Sequence, residues 1–145
     1  MIISHIIGGL GNQMFQYAIG RALSLDRGVP LRLDVQDFEG YFLHNGYELQ
    51  RVFNIEAQLA SSGDVRKVLG LRAFGAIRRR LFRRQLAVFR GPHLFVDNLY
   101  GERPQMSAMP NACYLMGNWQ SEKYFKHVEG TIRSEFSFRS PFTGR

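Results

Sequence analysis

Hydrophobic and polar positions change from strand-like to helix-like periods over the first 35 residues. Residues 2–7 are almost entirely apolar, which is typical of a strand buried in a parallel sheet. From Gln13 the apolar residues recur at helical spacing as far as Leu25, and Gly28 then provides a helix stop. Residues 31–35 alternate again, which predicts a second strand. The chain therefore opens with a predicted βαβ unit.

The remainder of the chain continues this alternation of strands and helices. Helical periodicity predicts three more helices: over residues 48–53, over residues 63–84 with a break near Gly70 or Gly75, and from Ser121 onward. Short apolar runs predict three more strands, at residues 87–89, 93–96 and 112–116. We therefore predict an α/β fold, a Rossmann-like parallel sheet flanked by helices, that forms one domain over residues 1–145.

Composition agrees with a folded domain that needs no disulfide. The chain has 145 residues, of which 45% are hydrophobic, so it can bury a core of ordinary size. The single cysteine, Cys113, excludes an internal disulfide framework and is interpreted as a small buried hydrophobe. The four histidines have no ligand-like spacing, so we expect no metal and no cofactor. No apolar stretch approaches the roughly 20 residues of a membrane span, and a cytoplasmic location is expected.

Glycines separate the first predicted strand from the first helix, in the sequence GGLGNQ. Such a loop directs free backbone N–H groups and the positive end of a helix to one point, where anions bind. Gly9 and Gly11 satisfy two of the three glycines of the dinucleotide fingerprint, and Met14 occupies the third position. Asp34 lies at the end of the second predicted strand, where dinucleotide-binding folds place a carboxylate that binds the ribose. In the alternative interpretation the glycines only turn the chain while Asn12 caps the helix.

Two groups of polar residues follow predicted strands. The adjacent amides Asn12 and Gln13 are expected on the rim of a crevice, where they can bind hydroxyls or phosphate oxygens. The second group, after the last strand, consists of Trp119, Gln120 and Lys123. An aromatic ring with flanking amides suits stacking on a sugar, at the sheet edge where α/β proteins bind ligands. Packing of Trp119 in the core is the alternative.

Carboxylates cluster after the second predicted strand, at Asp34, Asp37 and Glu39. A carboxylate in this position can act as a general base. A solvated or turn-forming role is favoured for Asp37 and Glu39, so Asp34 is the predicted base.

Three segments resemble a known enzyme family. The sequence GGLGNQMFQYA, at residues 8–18, resembles the N-terminal signature of the α-1,2-fucosyltransferases, which transfer fucose from GDP-fucose to a galactoside. YELQRVFNI and GNWQSEKYF, at residues 47–55 and 117–125, are similar to further family segments in the same order. The resemblance implies two Rossmann-like domains facing across a cleft, the GT-B arrangement, with inversion at the anomeric carbon and no essential metal. It also implies transfer to the 2-hydroxyl of a terminal galactose on an oligosaccharide or lipid-linked glycan.

One family motif is missing from the sequence. The donor-binding His-x-Arg followed by Gly-Asp does not occur. We therefore expect this chain to be the N-terminal, mainly acceptor-side domain, without the C-terminal donor-binding domain, and to have little activity alone. On this interpretation Asn12 and Asp34 are the predicted catalytic residues. The predicted substrate-binding residues are Gly9, Gly11, Asn12, Gln13, Trp119, Gln120 and Lys123.

The positive charge of the chain, +7 overall, is concentrated in residues 66–84, which contain no Asp or Glu. This segment fits a solvated helix face, a surface that docks on anionic lipids, or a nucleic-acid patch. Arginines interleaved with Leu81 and Phe82 favour peripheral docking on the inner face of a membrane, and no nucleic-acid motif is present. The predicted docking residues are Arg78, Arg79, Arg80, Arg83 and Arg84.

Two other functions fit parts of the sequence. The chain could be a binding module without catalysis, whose glycine loop holds a nucleotide or phosphate and whose basic helix docks on a membrane or nucleic acid. A nicotinamide-dependent reductase is disfavoured because the third fingerprint glycine is missing.

Overall fold

A parallel sheet of five strands forms the centre of the protein. The computed structural model describes residues 1–98 and 103–140, apart from the side chain of Arg84. The strands are β1 (Ile2–His5), β2 (Leu31–Asp34), β3 (Gln58–Leu59), β4 (Leu94–Asp97) and β5 (Cys113–Gly117). Their order across the sheet is β3-β2-β1-β5-β4, and every neighbouring pair is parallel. The α/β, Rossmann-like class predicted from the sequence is therefore confirmed.

Helices connect these strands and cover both faces of the sheet. They are α1 (Leu10–Arg27), α2 (Leu49–Val52), α3 (Ser62–Leu69), α4 (Gly75–Leu81) and α5 (Glu129–Glu135). The α3 and α4 helices pack on one face, and α1 packs on the other. β1 is buried on both faces: Ile2 and Ile3 pack into the cores on opposite sides of the sheet, and the buried Ser4 hydroxyl donates to the Gln16 carbonyl. Cys113 is fully buried in β5, and burial raises the pKa of its thiol to about 12.

Three local predictions were wrong. Helix α1 begins at Leu10 rather than near Gln13, and Gly9 occupies the N-cap, so the alternative with Asn12 as the cap is also wrong. Residues 87–89, predicted as a strand, belong to a 3-10 segment in which Val88 is 84% exposed, since the sheet does not extend to them. The helix predicted from Ser121 begins only at Glu129, after two 3-10 turns.

Aromatic packing accounts for the late start of α5. The ring of Tyr124 packs edge-on against Trp119 at 5.3 Å, and that of Phe125 lies 6.0 Å from Phe15 on α1. Phe125 has a φ of −136° and a ψ of 8°, which an α-helix does not allow. These contacts tie the segment after β5 to the core and to α1.

The close approach of α1 to the sheet occurs at Gly20. A Cβ there would lie 2.9 Å from both the Leu31 Cδ1 and the Ser4 Cβ. In the dinucleotide fingerprint the third glycine makes this contact earlier in the helix. Because the contact is made at Gly20, Met14 can be a large residue, and it packs against the core beside β2.

Candidate functional site

A cleft opens at the carboxyl ends of β1 and β5. From β1 the chain passes through α1 to β2, which lies beside β1 on one side. It then reaches β3 at that edge of the sheet, crosses to β4 at the opposite edge, and returns to β5, which lies beside β1 on the other side. Ligands of open α/β sheets bind outside the carboxyl ends of the strands. The cleft has a volume of about 250 Å³. Its lining residues are His5, Ile7, Arg79, Phe82, Met116, Gly117 and Asn118.

A buried network of charges lies beneath this cleft. Arg78, 2% exposed, has Nη1 3.1 Å from the Asp34 Oδ2 and Nη2 3.3 Å from the Asp37 Oδ2. Its Cζ lies 5.2 Å from the centre of the Tyr114 ring, and the Tyr114 hydroxyl donates to the Asp34 Oδ2 at 2.7 Å. One guanidinium thus compensates two carboxylates in an environment where an unpaired charge would be costly.

His5 joins this network to the wall of the cleft. Its Nε2 lies 2.9 Å from the Asp37 Oδ2, and its Nδ1 has no hydrogen-bond partner among the described residues. This hydrogen bond, together with the charges of His5 and Arg78, lowers the pKa of Asp37 to about 2. Asp37 therefore stays ionised at neutral pH and can orient the imidazole of His5.

The lowered pKa of Asp37 predicts a loss of stability in acid. Because folding depresses this pKa from 3.8 to about 2, the ionised carboxylate stabilises the fold above about pH 4, and the contribution is lost as the pH falls through about 2. Asp37→Asn should therefore be less stable than wild type at pH 7, and the difference should shrink between about pH 4 and pH 2. Urea denaturation across this range measures it. A difference that is constant with pH would contradict the assignment.

The structure does not present Asp34 to the cleft, contrary to its predicted role as base. Its side chain is fully buried; Oδ1 accepts from the Gln36 N–H at 3.1 Å, and Oδ2 is held by Tyr114 and Arg78. A general base must reach the proton that it removes. His5 is the side chain of this network that both lines the cleft and has a basic nitrogen to offer.

Gln13 also lies in the interior rather than on the predicted rim. Its Nε2 donates to the carbonyls of Gly8 and Gly46, both at 2.8 Å, and its Oε1 accepts from the Glu48 N–H at 2.9 Å. The amide therefore holds the glycine loop against the segment that precedes α2. The prediction that Gln13 lies on the rim of the crevice is therefore wrong, because its amide is hydrogen-bonded to backbone groups.

Gln16 is a second buried amide, which the sequence analysis missed. Its Oε1 accepts from the Ile7 N–H at 3.0 Å, and its Nε2 donates to the Gly117 carbonyl at 3.1 Å. It thereby joins the loops after β1 and β5 across the floor of the cleft. The sequence could have indicated this burial, because Gln16 lies on the inner face of the predicted helix, next to Tyr17 and one turn before Gly20.

Two predicted residues do meet beyond the carboxyl ends of β1 and β5. The Gln120 Nε2 donates to the Asn12 Oδ1 at 2.7 Å, although 108 residues separate them in the sequence. Gly9 and Gly11 lie beside Asn12 at the start of α1, whose first turn contains no acidic residue. At Gly11 a Cβ would meet open space. The free N–H groups of this helix end and the two amides therefore lie on one exposed rim.

Trp119 is placed in the core, not on the rim. It is fully buried, with a φ of 54°, and its backbone N–H donates to the Asp97 Oδ2 at 2.8 Å. The Trp119 ring is enclosed by the core and by Tyr124, so the prediction that it stacks on a sugar is wrong. Lys123 is exposed on the 3-10 turn that follows. Asp97, which the sequence analysis missed, fixes the start of this loop.

Gly117 admits no larger residue at the end of β5. Its φ is 135°, and a Cβ there would lie 2.4 Å from the carbonyl oxygen of Asp97. Gly117→Ala is therefore expected to lower the free energy of unfolding by about 2–4 kcal/mol, from backbone strain and overpacking. In Gly130→Ala, the control, the new Cβ meets open space in α5, and stability should rise by about 0.5–1 kcal/mol. Thermal and urea denaturation compare the two, and equal stabilities would refute the predicted clash.

The arginines predicted to dock on a membrane have different environments. Arg78 is buried in the charge network, so the prediction that it docks on a membrane is wrong. Arg79 lines the cleft and lies 3.6 Å from Asp37, whereas Arg80 and Arg83 are exposed. The side chain of Arg84 lies outside the described part of the structure.

The fold and this site define a Rossmann-like α/β domain with a cleft at the carboxyl ends of β1 and β5. No family model matches the chain, and no solved structure is significantly similar to it. The chain is 30% identical over 142 residues to an α-1,2-colitosyltransferase of Escherichia coli. This match covers 94% of the chain and 45% of the relative, so the chain spans less than half the length of that enzyme.

Proposed function

We propose that this chain is the acceptor-side domain of an inverting glycosyltransferase. The enzyme would transfer a 6-deoxy sugar, fucose in the first instance, from its GDP ester to the 2-hydroxyl of a terminal galactose on a glycan. The observation that carries the proposal is the 30% identity to the colitosyltransferase over 94% of this chain. A second, donor-binding domain across the cleft would complete a GT-B enzyme.

The meeting of two distant segments supports this proposal. The segments at residues 8–18 and 117–125 resemble fucosyltransferase sequences, and the hydrogen bond between Asn12 and Gln120 joins the start of α1 to the loop after β5. Structural packing alone would not need two exposed amides there. Sugar hydroxyls do need such groups, because each hydroxyl both donates and accepts hydrogen bonds.

We propose His5 as the general base in place of Asp34. The galactose hydroxyl would attack the anomeric carbon of the donor while the bond from that carbon to the GDP oxygen breaks. The hydroxyl proton would pass to the Nδ1 of His5, whose Nε2 is held by Asp37. Without a metal, the leaving GDP needs a clamp of cations or dipoles. We propose that the other domain supplies most of this clamp.

Residues near the cleft would position the acceptor. Asn12, the proposed catalytic amide, and Gln120 would bind acceptor hydroxyls. Gly11, where a Cβ would meet open space, would allow a close approach to the backbone, whereas the His44 ring fills that position at Gly9. Lys123, exposed on the adjoining turn, would contact the outer part of the acceptor or an anionic group.

The sugar itself requires a direct test. Colitose is fucose without its 3-hydroxyl, so a site that hydrogen-bonds this hydroxyl would discriminate strongly between the two. The assay offers GDP-fucose or GDP-colitose, with a β-galactoside, to the protein that carries this domain together with a donor-binding domain. Mass spectrometry of the product is expected to show fucose on the galactose. Transfer of colitose alone would refute the choice of sugar, and binding of GDP without transfer would favour the non-catalytic module.

A further inference from the structure

An exposed apolar surface covers the outer side of the segment between α3 and β4. Leu71 is 78% exposed, Phe74 57%, Val88 84% and Phe89 60%. Ile77, on α4 one turn after Phe74, is 42% exposed. These five residues, here called the docking surface, lie within 19 residues of sequence. A monomeric protein rarely groups so many large apolar side chains in solvent without a partner for them.

The docking surface is continuous because the chain folds back on itself here. The Arg72 Nε donates to the Phe89 carbonyl at 2.6 Å, which brings the 3-10 segment of residues 84–89 beside the turn that carries Leu71. The Arg90 Nε, at the same end of that segment, donates to the Leu81 carbonyl at 2.8 Å and fixes this end to α4.

Positive charge surrounds the docking surface without compensation. No Asp or Glu occurs from residue 65 to residue 96. Within the described part of the chain, Arg66, Lys67, Arg80 and Arg83 are exposed and form no ion pair with a carboxylate. The surface therefore fits an anionic partner that also accepts apolar groups.

A basic pocket lies next to the docking surface. Its volume is about 260 Å³, and four of the side chains that line it are basic: Lys67, Arg72, Arg90 and His93. Arg72 uses its Nε for the Phe89 carbonyl, which leaves its terminal nitrogens for a ligand. A phosphate group fits such a pocket in size and charge.

We infer that this surface docks on an anionic lipid bilayer. The five apolar side chains would enter the interface between headgroups and acyl chains, while Lys67 and Arg72 would bind the phosphate of a lipid headgroup in the basic pocket. Nucleic acid fits less well, because exposed leucine, isoleucine and valine do not stack on bases. The described part of the chain contains no helix long and apolar enough to span a membrane. The inference does not depend on the proposed function.

Cosedimentation with vesicles tests the inference. The protein is mixed with vesicles of equal parts phosphatidylglycerol and phosphatidylcholine, and with vesicles of phosphatidylcholine alone. Binding is expected to the anionic vesicles and to fall with added salt. Leu71→Ser combined with Phe89→Ser should weaken it at least about tenfold, and Lys67→Ala about fivefold. Leu25→Ser and Arg133→Ala, exposed on other helices, serve as controls and should bind like wild type.

Several outcomes would overturn the inference. Because the substituted side chains are exposed, circular dichroism should show folded variants, and absent binding by folded wild type would refute lipid docking. Equal binding by wild type and the Leu71→Ser, Phe89→Ser variant would do the same. A variant that changes only the sedimentation coefficient would identify a contact between two copies of the chain. Tight binding of duplex DNA with no vesicle binding would identify a nucleic-acid surface.

Discussion

Replacing Arg78 by methionine is expected to lower the free energy of unfolding by about 3–5 kcal/mol. Removal of one partner from a buried ion pair leaves the others as uncompensated buried charges. In the variant, Asp34 would keep the Tyr114 hydroxyl and a backbone N–H but would lose its only cation in the described structure. Asp37 would retain His5 and the distant guanidinium of Arg79. Urea denaturation at pH 7 measures the loss.

Two further variants show whether the loss of stability comes from the buried ion pair or from the removal of any arginine. Arg80→Met removes an exposed neighbour and should change stability by no more than about 0.5 kcal/mol. Asp34→Asn combined with Arg78→Met removes the buried charge along with its partner and should recover part of the stability. If Arg78→Met were as stable as Arg80→Met, the buried network would be contradicted.

In the protein that carries this domain together with a donor-binding domain, His5→Gln is expected to lower kcat for sugar transfer about 10²–10⁴-fold, the usual contribution of a general base. Glutamine can still donate a hydrogen bond to Asp37, but it cannot take up a proton at neutral pH. Because acceptor binding is assigned to Asn12 and Gln120, KM for the galactoside should change little. This prediction depends on the proposed function.

A matched histidine variant provides the control for His5. His127→Gln also removes a histidine that pairs with an aspartate, Asp26 at 2.9 Å, but on the exposed surface, so its kcat should stay near the wild-type value. A kcat of His5→Gln equal to that of wild type or of His127→Gln would exclude His5 as the base.

Local periodicity was sufficient to predict much of the fold. The βαβ unit and the strands at residues 93–96 and 112–116 were predicted to within a few residues, because both faces of these elements are buried or regularly patterned. The order of the strands was not predicted, since it depends on contacts distant in sequence. The edge strand β3 has only two exposed residues and leaves almost no pattern to recognise.

The candidate site was predictable where polar residues remain exposed. Asn12 and Gln120 do share one edge of the sheet, as expected from strands that end together. Gln13 and Trp119 were misplaced because Gly46 and Asp97, which hold them in the interior, lie 33 and 22 residues away. Arg78 looked like its arginine neighbours, yet its position three residues before the buried Leu81 places it on the inner face of α4.

Isothermal titration of a β-galactoside into the folded protein tests the central claim most directly, since the cleft between β1 and β5 is assigned to the acceptor. Wild type should bind the sugar, and Asn12→Ala should bind it about 3–10-fold more weakly through the loss of hydrogen bonds to hydroxyls. Asn54→Ala, an exposed asparagine whose amide bonds to Ser137, should bind like wild type. Galactoside binding that Asn12→Ala leaves unchanged, or a folded wild type that binds GDP but no galactoside, would contradict the assignment.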